Sequence, residues 1–164
     1  VKYLYEKNIM NGTSNTLFSP NAELTRGMVV TILYRMEGEP LTAGAKTFSD
    51  VKAGLYYSKA VDWAAEKNIV NGFSDGTFKP EQLVTREQLA TIISRYAVSK
   101  GIVVYDAANA LASTDVVSAW ARSNVAWAAA EGILTKTETT NATKTASRAE
   151  VATAIYTYLT KTAK

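Results

Sequence analysis

Three times in 164 residues, a hydroxyl residue followed by arginine stands at the head of an amphipathic helical pattern: Thr25-Arg26, Thr85-Arg86 and Ser147-Arg148. From Lys7-Asn8-Ile9 to Arg35 the first copy aligns without gaps on Lys67-Asn68-Ile69 to Arg95. A third copy runs from Glu131-Gly132-Ile133 onward, with a slightly shorter loop before its arginine. Self-similarity of this length means one supersecondary unit used repeatedly, each copy burying its apolar face on its neighbours.

Each unit reads as helix, loop, helix. In the second copy Tyr57, Ala60, Val61, Ala64 and Ala65 recur at three- and four-residue steps and mark one face of a first helix. Val1, Leu4, Tyr5 and Ile9 answer in the first copy, and Val125, Ala128, Ala129 and Ile133 in the third. The first copy therefore starts in mid-helix, and its counterpart of Phe48-Ser49-Asp50 belongs upstream of Val1. The loop Asn71 to Pro80 holds the turn signal Asp75-Gly76, and Pro80 bars regular helix until the second helix begins. The first copy keeps Asn11-Gly12, Phe18 and Pro20 but has Asn15-Thr16 at the turn, whereas Thr135 to Thr145 in the third lacks Gly, Phe and Pro.

The second helices carry the clearest stripes: Val29, Ile32, Leu33, Met36; Leu89, Ile92, Ile93, Tyr96; and Val151, Ala154, Ile155, Tyr158. Their common i, i+3, i+4, i+7 spacing predicts that the three pack their stripes together. Thr85 with Gln88 and Ser147 with Glu150 predict capping boxes, while Thr25 has Met28 at that place and caps without the box. Gly- and Ala-containing segments 37–47 and 99–113 read as connectors. The expectation is an all-α, three-repeat bundle divided at 1–40, 41–103 and 104–164, together one compact domain.

An arginine one residue past an N-cap sits beside free N–H groups and a partial positive charge, which suits a carboxylate or phosphate. The competing expectation is that Arg26, Arg86 and Arg148 pair with a carboxylate of a neighbouring copy and lock the bundle. Trp63 and Trp127 lie at equivalent positions just off the first-helix stripe, as sugar-stacking platforms or as core. Asp50 and Asp115 precede first helices and read as N-caps. Gly72 and Gly76 read as turn formers whose bare backbone also permits close approach of a ligand.

Composition narrows the function. With neither His nor Cys the chain lacks the usual general base, the thiolate nucleophile and the commonest transition-metal ligands. Its carboxylates are scattered, so no enzyme, metal site or cofactor is expected. A net charge of +3 without a Lys/Arg tract argues against nucleic acid, and no apolar run is long enough to enter a membrane.

Phe48-Ser49-Asp50-Val51, Ala60-Val61-Asp62-Trp63-Ala64, Asn71 to Pro80 and Thr85-Arg86-Glu87-Gln88 together resemble the S-layer homology repeat. The resemblance implies a pseudo-trimeric, three-pronged helical spindle that anchors surface-layer proteins, surface enzymes or scaffolds non-covalently to the bacterial cell wall. It implies an extracellular, cell-surface location and fusion to such a partner. The implied ligand is a secondary cell-wall polysaccharide bearing a pyruvylated amino sugar, whose carboxylate the arginines of inter-repeat grooves contact. That role carries over to Arg26, Arg86 and Arg148, with Gly72 and Asp50 as groove-lining residues. Because the third loop is degenerate, the groove of Arg148 is expected to be the weakest. The alternative is a helical scaffold for protein–protein or lattice contacts.

Overall fold

A computed structural model describes residues 1–14, 16–44 and 48–162. Among these it contains seven α-helices: α1 (Lys2–Glu6), α2 (Arg26–Met36), α3 (Ser58–Glu66), α4 (Arg86–Ser99), α5 (Arg122–Ala130), α6 (Lys136–Thr140) and α7 (Arg148–Thr162). Short 3-10 turns precede α5 at Ala108–Ala110 and Ala119–Ala121. Asn15 of the expected Asn15-Thr16 turn, and residues 45–47 of the first connector, lie outside the described residues. The all-α expectation holds, since extended pairing among the described residues is confined to isolated bridges.

Those bridges close the molecule. Glu23 pairs with Ser147, Thr25 with Leu83, and Thr85 with Thr145. Between them runs a ring of backbone bonds in which Leu24 N–H donates to Ala146 O (3.4 Å), Ala146 N–H to Val84 O (2.9 Å) and Val84 N–H to Leu24 O (2.9 Å). The three side chains are buried at the axis. Burial obliges these backbone groups to find partners, and the residues just before each helix head supply them to one another.

The helix heads dock in the same cyclic order. Arg26 and Gly27 N–H donate to Gln82 O and Pro80 O of the second copy's loop (2.9 and 2.8 Å). Arg86 and Glu87 N–H reach Lys144 O and Ala142 O (2.9 and 2.8 Å), and Arg148 and Ala149 N–H reach Ala22 O and Pro20 O (2.7 and 2.9 Å). The next N–H of each helix goes to the cap hydroxyl: Met28 to Thr25, Gln88 to Thr85, Glu150 to Ser147. Both reciprocal bonds of the capping boxes form at Thr85/Gln88 and Ser147/Glu150. The first three donors of every head are thus taken, so the expected anion site on free helix N–H groups does not exist.

Packing differs from the expected trio of second helices. α2 packs on α3, α4 on α5, and α1 on α7, so each prong combines the second helix of one copy with the first helix of the next. The stripes still face one continuous core, with Val29, Leu33, Leu89, Ile93, Val151 and Ile155 buried. Towards the ends of α4 and α7 they meet through Tyr96 and Tyr158, whose rings lie 5.4 Å apart. In the third copy the degenerate loop is partly helix: Thr135 and Glu138 form a capping box at the head of α6. That Thr-x-x-Glu signal was present in the sequence.

Candidate functional site

Cyclic docking sets each head arginine against the loop of the following copy. Arg26 belongs with the Gly72 loop, Arg148 with the Gly12 loop, and Arg86 with the segment around Asn141. This corrects the sequence expectation that Arg148 stands beside the degenerate loop, because Arg86 does. Repeats closed into a ring put each functional pair across a copy boundary, which the linear alignment hides.

Two of the interfaces open into equivalent grooves. One, about 470 Å³, is lined by Arg26, Val70, Asn71, Gly72, Gln88, Thr91, Ile92, Arg95 and Trp120, among others. The other, about 240 Å³, is lined at matching positions by Arg148, Met10, Asn11, Gly12, Met28, Thr31, Ile32, Arg35 and Tyr56. One wall is the loop after a first helix, and the other is the second helix of the same copy. The head arginine comes from the preceding copy in the ring, and an aromatic hangs over from the copy that follows.

In the larger groove Arg26 is held by its Nε, which donates to Phe78 O at 2.9 Å, and by the faces of Phe73 and Phe78, whose centroids lie 4.8 and 4.7 Å from Cζ. Among the described residues neither Nη has a hydrogen-bond partner, which leaves the outer edge of the guanidinium for a ligand. Burial lowers the Arg26 pKa to about 10, Asp50 opposes the shift and the positive charge of Arg95 adds to it. The group is still a full cation at neutral pH, yet poorly solvated, so an incoming anion gains more from it than from an exposed arginine. Arg148 repeats the arrangement, with Nε donating to Phe18 O (2.8 Å), Nη2 to Asn11 O (2.6 Å) and Cζ 4.9 Å from the Phe18 centroid. Burial lowers its pKa as well.

Arg86 is different. It makes a bidentate pair with Glu150, Nη2 to Oε1 at 2.7 Å and Nε to Oε2 at 3.3 Å, and Nη1 donates to Asn141 O at 3.1 Å. All three of its nitrogens are spoken for. The expectation of a locking salt bridge therefore holds at Arg86, whereas Arg26 and Arg148 bond to backbone carbonyls instead. Residue chemistry explains the split, because the position of Glu150 is Gln88 in the large groove and Met28 in the small one.

Gly72 lines the large groove with φ of +72°, and an added Cβ would sit 2.4 Å from Phe48 Cε1 and 2.7 Å from Thr77 O. Asp50 is not an N-cap. Its Oδ1 and Oδ2 accept from Phe78 and Lys79 N–H (2.8 and 2.7 Å), clamping the loop behind Arg26, and the N-cap of α3 is Tyr57. Asp115 likewise caps no helix. It takes Lys136 Nζ at 2.6 Å and Ala112 N–H at 2.8 Å, while Ala121 heads α5. Lys136 occupies the place of Gly72, so the third copy sets a cation paired with Asp115 where the other two have glycine.

Trp63 and Trp127, candidates for stacking, are each only 3% exposed and belong to the core, where Trp63 lies between Tyr34 and Tyr96. The aromatics that do face grooves are Trp120 at 58% exposure and Tyr56 at 56%. Sequence reasoning passed over them, together with Arg35 and Arg95. The available signals were two aromatics just before equivalent first helices and an arginine repeated at the ends of the gapless alignment.

Residues 1–27 and 47–90 match the sequence profile described as the S-layer homology domain. An amylopullulanase of Thermoanaerobacterium thermosulfurigenes is 32% identical over 98% of this chain and 9% of its own length. The cellulosome-anchoring protein of Acetivibrio thermocellus is 25% identical over 76% of this chain and 29% of its own. A surface layer protein of Brevibacillus choshinensis is 33% identical over 58% of this chain and 9% of its own. This chain spans less than a third of each of these relatives. Residues 1–27 and 47–90 are thus S-layer homology domain sequence, and the third copy, with a short helix in place of the loop, joins them through the ring at Ala146.

Proposed function

We propose that this chain is a non-covalent cell-wall anchoring module, extracellular on the bacterial surface, which holds secondary cell-wall polysaccharide in the grooves of Arg26 and Arg148. The bound element is the carboxylate of a pyruvylated amino sugar on that polymer. The observation that carries the reading is the pair of equivalent open grooves, each with a desolvated arginine that keeps guanidinium N–H groups free. Surface proteins among the relatives support the anchoring role, and the much longer amylopullulanase supports fusion of such a module to a surface enzyme or S-layer protein. Binding without turnover is the expected behaviour, since neither groove pairs a nucleophile with a base or an acid with a base.

Calorimetry with pyruvylated secondary cell-wall polymer, and with the same polymer after mild-acid removal of the ketal, tests this. Binding is expected to the first and to be lost with the second. Equal binding to both polymers, or to neither, overturns the proposal.

A further inference from the structure

The large groove contains a cation that its architecture does not use. Arg95 lies on α4 two turns beyond Gln88, lines the same cavity as Arg26, and forms no ion pair or side-chain hydrogen bond among the described residues. Arg26 has Asp50 behind its loop as a compensating charge, and Arg86 has Glu150. Glu87, the carboxylate in the groove wall, is committed elsewhere. Both its oxygens accept from Ser118, from N–H and from Oγ at 2.9 Å each, which fixes the chain that carries Trp120. From Gln88 to Arg95 the helix advances roughly 10 Å, more than one pyranose ring. The cavity of about 470 Å³ is likewise larger than a single sugar needs.

We propose that Arg95 and Trp120 form a second subsite of this groove, so that it recognises an acidic disaccharide, one negative charge on each sugar, in preference to a singly charged terminal sugar. Arg26 takes the first carboxylate. The next sugar lies against the exposed indole of Trp120, as sugar faces stack on aromatic rings, and its acidic group meets Arg95. Two guanidinium groups in one poorly solvated groove repel one another, and a single carboxylate relieves only part of that repulsion. A second anion completes it. The small groove has Arg35 and Tyr56 at the matching places, but Arg35 Nε lies 4.0 Å from Glu39 and the cavity is half the size, so the preference belongs to the larger groove.

This inference rests on the polysaccharide reading above, and two synthetic probes separate the failures. One is the methyl glycoside of 4,6-O-pyruvylated N-acetylmannosamine, with one carboxylate. The other is the same sugar linked to glucuronic acid, with two. Trp120 is the exposed one of three tryptophans, so intrinsic fluorescence reports on the large groove directly. The two-carboxylate probe is expected to bind about tenfold more tightly than the other, with a steeper dependence on salt. Arg95→Gln is expected to erase that difference, so that the two probes bind with the same affinity, with the fold unchanged by circular dichroism. Equal affinities of the wild type for the two probes, or an unaltered preference in Arg95→Gln, overturns the inference and leaves the anchoring reading standing. Failure of the wild type to bind either probe overturns both.

Discussion

An added Cβ at Gly72 would press into the Phe48 ring and Thr77 O while the backbone is held at φ +72°, whereas one at Gly76, φ +78°, would meet nothing within 4 Å. The two glycines therefore separate the cost of a left-handed backbone from the cost of a filled space. Gly76→Ala is expected to lose about 1 kcal/mol, the conformational part alone. Gly72→Ala is expected to lose about 2–4 kcal/mol, because strain and overpacking add. Urea unfolding of the two variants checks the order, and equal losses would show that the loop shifts to accommodate the methyl group. The same scale shows why some residues were legible and others were not. Thr85 and Gln88 declare their bond because both partners lie within one helical turn. Asp50 gives no such sign, since the N–H groups it clamps belong to residues 78 and 79, and the side chain looks like an N-cap until the fold brings the loop down on it. Trp63 has the same helical position whether it faces sugar or core, and only the neighbouring prong decides.

At the scale of elements, the head of α7 carries the ion pair that closes the third interface. Burial alone would raise the Glu150 carboxyl above its ordinary 4.5, but hydrogen bonds from Arg86 and from Ser147 N–H outweigh it and hold the group below that value. A carboxyl whose folded pKa is depressed contributes stability above its unfolded pKa and loses it as pH falls through the folded one. Glu150→Gln is therefore expected to be less stable than the wild type by about 1–2 kcal/mol at neutral pH, and the gap should close on acidification below about pH 4.5. Thermal melts of both proteins across that range read it directly, and a gap that persists at low pH would mean that shape rather than charge sets the contribution. The capping boxes, the apolar stripes and the all-α class were readable because each is a pattern of period three or four within one helix. The choice of helix partners was not, since the stripes of α2, α4 and α7 are alike and nothing in them says that each second helix packs on the next copy's first helix. The ring of bridges and the docking of the helix heads on the next copy's loop impose that order.

For the whole molecule, that ring couples positions as distant as Leu24 and Ala146, so unfolding of one copy removes a backbone partner from both others. The buried N–H groups of Val84 and Ala146 are expected to exchange with solvent only through global unfolding, at one common free energy, measurable by hydrogen exchange in native conditions. Exchange of either at a markedly lower free energy would show that a copy opens alone. The cyclic order also determines how the arginines should divide their labour. A linear comparison of repeats gives Arg148 the impoverished loop and makes its loss the mildest. The folded ring gives Arg148 the Gly12 loop and leaves Arg86 with α6, Lys136 and Glu150. Arg26→Ala and Arg148→Ala are each expected to lose about 1.5–3 kcal/mol of affinity for pyruvylated polymer, the range for hydrogen bonds to a charged group. Arg86→Ala is expected to bind almost as well as the wild type while unfolding at lower denaturant, because it strands Glu150 rather than emptying a groove. Titration with a soluble pyruvylated saccharide should then count two sites per chain. A third site of equal strength, or Arg86→Ala as the most damaging of the three changes to binding, would mean that a ligand carboxylate displaces Glu150 from Arg86 and that the closed interface opens on demand.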